Sequence, residues 1–434
     1  MPSISSRITD AFRKPVPPPL VVPDQYDPTD VAAMLREIGI ALVEAAQPIQ
    51  AVEQRLVEIG ARYTTEPVQA AVLPTMLFIQ IGTATHQMEA SAQPSGLLGT
   101  ASQVDEIAGL AAAGAIAPSD AVAAVRAARK QPPRFGPVLT TLGYAVTTVG
   151  FGMSIDPSWK GLPAHLFLGL VVGVIVLIAR PFPNLGPILP TLSALVVTLL
   201  ATWFVADVAN DGLLRIISPA LIATLPGMAL ALGAIELADG RIISGASRTV
   251  YGLAQMGLLV YGVVLGVRIA GQVQAHTPST PMGPWASYAS IVVIAAGLYF
   301  YLSAPRGSLV WLLLTTAVAT LAQDLAGLFL DNAHSGFVAA MVAIPFAMLA
   351  SRIKGAPPSA VLSLAAFWSL VPGQLAFMSL SRKASGDFAD TATLSVAGAA
   401  IISIALGTLV GWTLVRTFAD KPKKSAAALV LAQS

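Results

Sequence analysis

Cysteine is absent from the 434 residues, which excludes disulfide frameworks, thiolate nucleophiles and cysteine-bound zinc. Charge is scarce too: Asp, Glu, Lys and Arg make up 11% of the chain, where a soluble protein carries about 25%. Only four histidines occur, His86, His165, His276 and His334. They read as scattered between an N-terminal soluble segment and outer loops, so no metal site and no cofactor is expected. The sequence contains no Gly-x-x-x-x-Gly-Lys-Ser/Thr, His-Glu-x-x-His or Gly-x-Ser-x-Gly pattern, so nothing points to an enzyme. With a net charge of +2 and no basic tract beyond Lys421, Lys423 and Lys424, nucleic acid is not expected as a partner. The first thirty residues lack the apolar run of about 7–15 residues that a secretory leader needs. Pro15-Val16-Pro17-Pro18-Pro19 reads instead as an extended arm, so targeting is expected from the first membrane span.

What is abundant is apolar surface: 55% of the residues are hydrophobic and the mean hydropathy is +0.72. Residues 1–134 hold 10 basic and 13 acidic groups, residues 135–434 only 15 and 10, so the apolar excess belongs to the last 300 residues. The spacing predicts an arm over 1–29 and a cytosolic α+β unit over 30–134. Within that unit, Val31, Met34, Leu35, Ile38, Leu42 and then Ile49, Val52, Leu56, Ile59 recur at helical period, with Pro48 dividing two helices. Three short strands follow between Pro67 and Ala92, separated by Pro74 and Gly82. Two more helices are predicted near 102–113 and 119–130, each capped by its opening Ser. Glu53, Glu66, His86 and Glu89 could form an acid/base group there, although exposed carboxylates are the ordinary content of a soluble surface.

Beyond Pro132-Pro133, apolar segments of about 20 residues recur, the length a helix needs to cross about 30 Å of hydrocarbon. Ten spans are predicted, near 136–155, 163–180, 185–206, 214–236, 248–270, 285–303, 308–330, 335–352, 357–379 and 392–416. With the N-terminus inside, inner loops and flanks hold 14 Lys and Arg and outer ones 5, which predicts cytoplasmic N- and C-termini. Leu225-Pro226-Gly227-Met228 returns as Val371-Pro372-Gly373-Gln374, with Gly240 and Gly386 each fourteen residues after the Pro. Both copies fall in the fourth span of a five-span half. An odd number of spans per half reverses the second half, so a 5+5 inverted repeat is predicted over 135–270 and 271–420, followed by a tail over 421–434.

Pro removes a helix hydrogen bond and Gly tolerates an unwound backbone, so each Pro-Gly pair would free carbonyls and amides inside the membrane. Two readings stay open, a binding site for a small zwitterion or a structural kink. The predicted substrate residues are Pro226, Gly227, Pro372, Gly373, Gln374 and Gln255, the two glutamines having interhelical hydrogen bonding as their alternative. Asp324, placed well inside the seventh span, is predicted to carry a coupling proton or to pair with an Arg of another span. Glu236 is the second proton candidate, at an inner mouth together with Asp239. Gly169-x-x-x-Gly173, Gly262-x-x-x-Gly266 and Gly407-x-x-x-Gly411 are expected to pack spans together.

The stretch from Leu225 through Gly227, Glu236, Asp239 and Gly240 to Gly245 resembles the signature segment of the threonine/serine exporter family. Val52-Glu53-x-Arg55-Leu56 is similar to that family's cytosolic domain, and the order of parts matches as well. The resemblance implies a secondary transporter in a bacterial inner membrane that exports threonine and serine, driven by protons. Related two-subunit members imply the alternative of a small dicarboxylate such as succinate. Amino acid, protons and lipid are the implied partners, and a homo-oligomer is compatible with all of this.

Overall fold

The computed structural model describes residues 17–89, 97–205, 212–271, 279–370, 377–378, 381 and 392–418. The N-terminal unit opens with α1 (Pro28–Glu44), where Asp27 accepts a hydrogen bond from the Thr29 amide, and continues with α2 (Ile49–Tyr63). Three strands follow, β1 (Val68–Leu73), β2 (Met76–Ile81) and β3 (Ala84–Glu89), paired antiparallel in the order β1-β2-β3. The central strand alternates, burying Leu77, Ile79 and Ile81 against the helices. Helices α3 (Leu98–Ala112) and α4 (Pro118–Lys130) complete the unit.

The expected serine caps do not form. Helix α3 starts at Leu98, ahead of Ser102, and Ala117 precedes α4 with Pro118 in its first turn. Proline's fixed φ and missing amide start that helix without a side-chain cap. The polar anchors lie elsewhere: one oxygen of Glu37, buried on α1, accepts from Arg126 Nε and Nη2 at 2.9 and 2.7 Å, and Glu44 takes Arg129 through both its oxygens, in the bidentate fork.

The membrane part contains six helices long and apolar enough to cross a bilayer among the described residues. They are α5 (Pro137–Ile155), α6 (Gly161–Ala179), α10 (Ile242–Ala270), α12 (Leu309–Gly327), α13 (Asn332–Ala350) and α15 (Ala392–Phe418). The other apolar helices are shorter: α7 (Leu189–Leu200, prolonged by a π turn to Val205), α8 (Leu213–Ala220), α9 (Gly227–Ala238), α11 (Trp285–Tyr301) and α14 (Ser359–Leu370). Segment 214–236, expected to be one span, is two helices: α8 stops at Ala220 with Pro219 in its last turn, and α9 begins after Pro226. Helix α10 begins at Ile242, six residues before its expected start. His165, expected in an outer loop, is buried within α6 beside Gly152.

Small residues set the closest crossings. Gly143 and Gly150 of α5 face Phe300 and Ile294 of α11. Gly262 and Gly266 of α10 lie on Thr191, Ala194 and Thr198 of α7, while Gly407 and Gly411 of α15 lie on Phe337, Ala340 and Pro345 of α13. These are the expected Gly-x-x-x-Gly contacts. Far from the α+β unit, Trp159 and Trp285 stack with ring centroids 5.7 Å apart. Their amphipathic rings suit a bilayer interface.

The α+β unit is anchored to this bundle. The Leu98 amide donates to the Leu302 carbonyl at 2.9 Å, and Arg134 reaches the Tyr299 hydroxyl and the Ala304 carbonyl.

In the core of the unit, the Tyr63 hydroxyl donates to the Ile116 carbonyl at 2.7 Å. Burial, aided by neighbouring Tyr26, pushes its pKa up to about 12 from the usual 10. A raised folded-state value means this contribution is complete below pH 10 and lost as pH rises towards 12. Alkaline titration followed by circular dichroism should therefore show the α+β unit weakening between pH 10 and 12. In Tyr63→Phe that pH-dependent step should vanish.

Candidate substrate site

The site grows from the break in the fourth apolar segment. Between α8 and α9 the chain turns through 221–226, with Pro226 at φ −79° and ψ 34°. Gly227 is the buried first residue of α9 and does not take a left-handed conformation, so the distortion rests on the proline. Two of the freed backbone groups are satisfied by Tyr144 of α5, whose hydroxyl donates to the Ala220 carbonyl and accepts from the Ala223 amide. Among the described residues, the carbonyls of Ala223, Thr224 and Leu225 and the amides of Gly227, Met228 and Ala229 make no hydrogen bond. All of these residues except the buried Gly227 line a cavity of about 420 Å³ whose wall also includes Pro226, Arg248, Tyr251 and Gln255.

Helices α9 and α10 form a hairpin beneath this cavity. Gly240, at φ 79°, closes α9, with the Arg241 amide bonded to the Glu236 carbonyl and the Gly240 amide to that of Leu237. The two helices then cross tightly, since a Cβ on Gly245 would stand 2.6 Å from the Leu237 nitrogen. This crossing brings Arg248 to Glu236. Glu236 is 1% exposed and Arg248 7%. The Arg248 Nε lies 3.1 Å from Glu236 Oε1, an ion pair without an aligned hydrogen bond. The other Glu236 oxygen accepts from Ser244 Oγ at 2.5 Å. Arg248 Nη2 is buried and has no hydrogen-bond acceptor among the described residues.

The α+β unit closes the arrangement. The Ile49 amide, at the start of α2, donates to Glu236 Oε1 at 3.3 Å. One turn on, Glu53 accepts from the Val72 amide at 3.0 Å and pairs with Arg241 at 2.6 Å. Pro74 and Thr75, the β1–β2 turn, form part of the cavity wall. A second cavity of about 360 Å³ lies between the unit and α13, α14 and α15, lined by Gln47, Arg55, Glu58 and Asp105 above and by Ser363 and Trp412 below. Met228 lines both.

The predicted site residues therefore divide. Pro226 and Gln255 meet at the first cavity, and Glu236 stands behind it. Asp324 lies on an exposed face of α12 and lines neither cavity. Pro372, Gly373 and Gln374, together with Gly386, fall outside the described residues. The acid/base group proposed for the soluble unit does not assemble: Glu53 is committed to Val72 and Arg241, whereas His86 and Glu89 lie on β3, across β2 from that contact. Sequence reasoning missed Arg248, which it had counted as a loop charge. The available signal was its distance from Glu236, twelve residues along a helical hairpin.

Similarity to known proteins agrees with this architecture. The family described as "Putative threonine/serine exporter" matches residues 33–270, that is, the α+β unit and the membrane helices through α10. Pheromone-regulated membrane protein 10 of Candida albicans is similar, in strains WO-1 and SC5314, at 24% identity over 154 residues. That similarity covers 35% of this chain and 14% of the Candida protein, so the shared part is a small fraction of that relative. No solved structure matches. Since the family match takes in more than half of the residues, the chain belongs to the threonine/serine exporter family, a family of membrane transporters.

Proposed function

We propose that the protein exports threonine and serine from the bacterial cytoplasm in exchange for protons, and that the cavity at the Pro226 break holds the substrate. The carrying observation is that cavity's chemistry. Free carbonyls suit an ammonium group, while free amides at the start of α9, with the positive end of its dipole, suit a carboxylate. Its volume of about 420 Å³ is that of a small-molecule site.

The buried Arg248 favours a carboxylate substrate, which gives succinate a claim as a second reading. Arg248 is the one charged side chain in the cavity wall among the described residues. A dicarboxylate would leave its second charge unpaired, which favours the amino acid.

The membrane part is proposed to be ten spans in two inverted halves. Supporting this, the third and fifth helices of the first half (α7 and α10) pack through Gly262 and Gly266 as the corresponding α13 and α15 pack through Gly407 and Gly411. The two glycine pairs stand 145 residues apart, within one residue of the Pro-Gly spacing. For the proton, Glu236 is the better placed acid, since it pairs with Arg248 and Asp324 lines neither cavity.

Counterflow in proteoliposomes with labelled threonine, serine and succinate tests the substrate. Threonine and serine should exchange, and uptake of succinate alone would overturn the amino-acid reading. Under an imposed pH gradient, Glu236→Gln should lose gradient-driven flux while Asp324→Asn keeps it; the reverse pattern moves coupling to Asp324. Because the chain has no cysteine, single cysteines report topology directly. A membrane-impermeant maleimide should label Lys160→Cys on intact cells and Lys354→Cys only after permeabilisation. Both positions are exposed.

A further inference from the structure

We infer that Arg248 is the substrate's carboxylate anchor and that Glu236 is the residue that positions it. This assignment rests on the reading of the Pro226 cavity as the transport site.

The geometry is that of a held but incompletely used cation. Arg248 is 93% withdrawn from solvent, inside a helix, and forms part of the cavity wall. A buried guanidinium with five donors is costly to leave unpaired, and proteins normally satisfy it. Here Glu236 engages the Nε edge alone, and that carboxylate is itself shared with the Ser244 hydroxyl and the Ile49 amide. The Nη2 donor has no acceptor among the described residues. No carboxylate lines the cavity among the described residues. The inference assigns the ligand's carboxylate as the acceptor this guanidinium lacks.

A planar fork matches the two oxygens of a carboxylate. The amides of Gly227, Met228 and Ala229 also await acceptors, so the carboxyl end of the substrate is directed to the α9–α10 side. The ammonium is left to the carbonyls of Ala223, Thr224 and Leu225, and Thr224, Tyr251 and Gln255 supply neutral polar groups for a side-chain hydroxyl. Glu236 holds the guanidinium plane and balances its charge when the cavity is empty. It is not a cavity-lining residue, so it acts through Arg248. The inference fixes the ligand class: a small molecule with one carboxylate, and neither an amine alone nor a neutral alcohol.

Titration calorimetry on the purified full-length protein tests this without any variant. Threonine should bind, and threoninamide, which keeps the ammonium and hydroxyl but lacks the carboxylate, should bind at least about tenfold more weakly, as expected for losing a charge-assisted pair. Equal binding of the two overturns the anchor. Arg248→Met alone would strand Glu236 as a buried unpaired charge and endanger folding, so the informative variant is Arg248→Met with Glu236→Gln. With its melting transition retained, it should lose threonine binding by about tenfold or more. Arg248→Lys, which keeps the charge without the fork, should fall between. Wild-type affinity in the double variant overturns the inference. If the wild-type protein binds neither threonine nor serine, the amino-acid reading fails, and the anchor is then judged on succinate. Binding of succinate by wild type and its loss in the double variant upholds Arg248, and succinate binding that survives in the double variant overturns it.

Discussion

Inside a bilayer a backbone amide or carbonyl has no water to turn to, so a span that stops being helical must find partners for every group it releases. The break at Pro226 imposes that requirement on this protein, and much of the surrounding structure answers it. Tyr144 reaches from α5 to close the Ala220 carbonyl and the Ala223 amide, and it is braced in turn against Tyr301, which meets Trp368 of α14. Thr224 turns its own hydroxyl back onto the Leu221 carbonyl. The groups that remain open face a cavity rather than packed side chains, which is the circumstance in which irregular backbone is tolerated at membrane depth.

The same reasoning gives the family-like stretch 225–245 a physical content. Pro226 precedes α9, α9 carries Glu236, Gly240 supplies the left-handed turn, and Gly245 lets α10 approach closely enough for Arg248 to meet Glu236. Each residue type is dictated by the step before it. A Cβ at Gly245 would separate the helices, and the ion pair would open. A buried pair of this kind contributes little net stability, because both ions forfeit their hydration. Its retention beside unsatisfied backbone groups is better explained by what it prepares for a ligand than by what it adds to folding.

Much of this was legible in the sequence, and the misses have specific causes. Apolar periodicity located the helices of the soluble unit and the three strands to within a few residues, because burial on one face is written directly in the pattern. Hydropathy makes 214–236 a single span because it does not register a broken ladder; the prolines at 219 and 226 carry that signal. The serine caps failed at 102 and 119 because Pro118 and the packing of Leu98 set those helix starts instead. Arg248 was missed since a charge six residues into a helix near a loop looks solvated from composition alone. Its burial depends on the hairpin crossing and on a domain that begins some 200 residues earlier. Asp324 stands out in the sequence by its depth in a span, and the structure places it on an exposed face of α12.

That distant domain changes how the site is to be understood. The start of α2 donates its Ile49 amide to Glu236, Glu53 fixes Arg241 at the base of α10, and the β1–β2 turn forms one side of the Pro226 cavity. Glu236, the partner of Arg248, thus takes its other contacts from both parts of the chain. The Glu53–Arg241 pair is partly exposed, with Arg241 about two-fifths open to solvent, so it stabilises docking only modestly. The second cavity has Arg55, Glu58 and Asp105 in its wall, and Met228 is the side chain common to that space and the first. The β1–β2 turn of the α+β unit is accordingly part of the wall of the cavity proposed to hold the substrate.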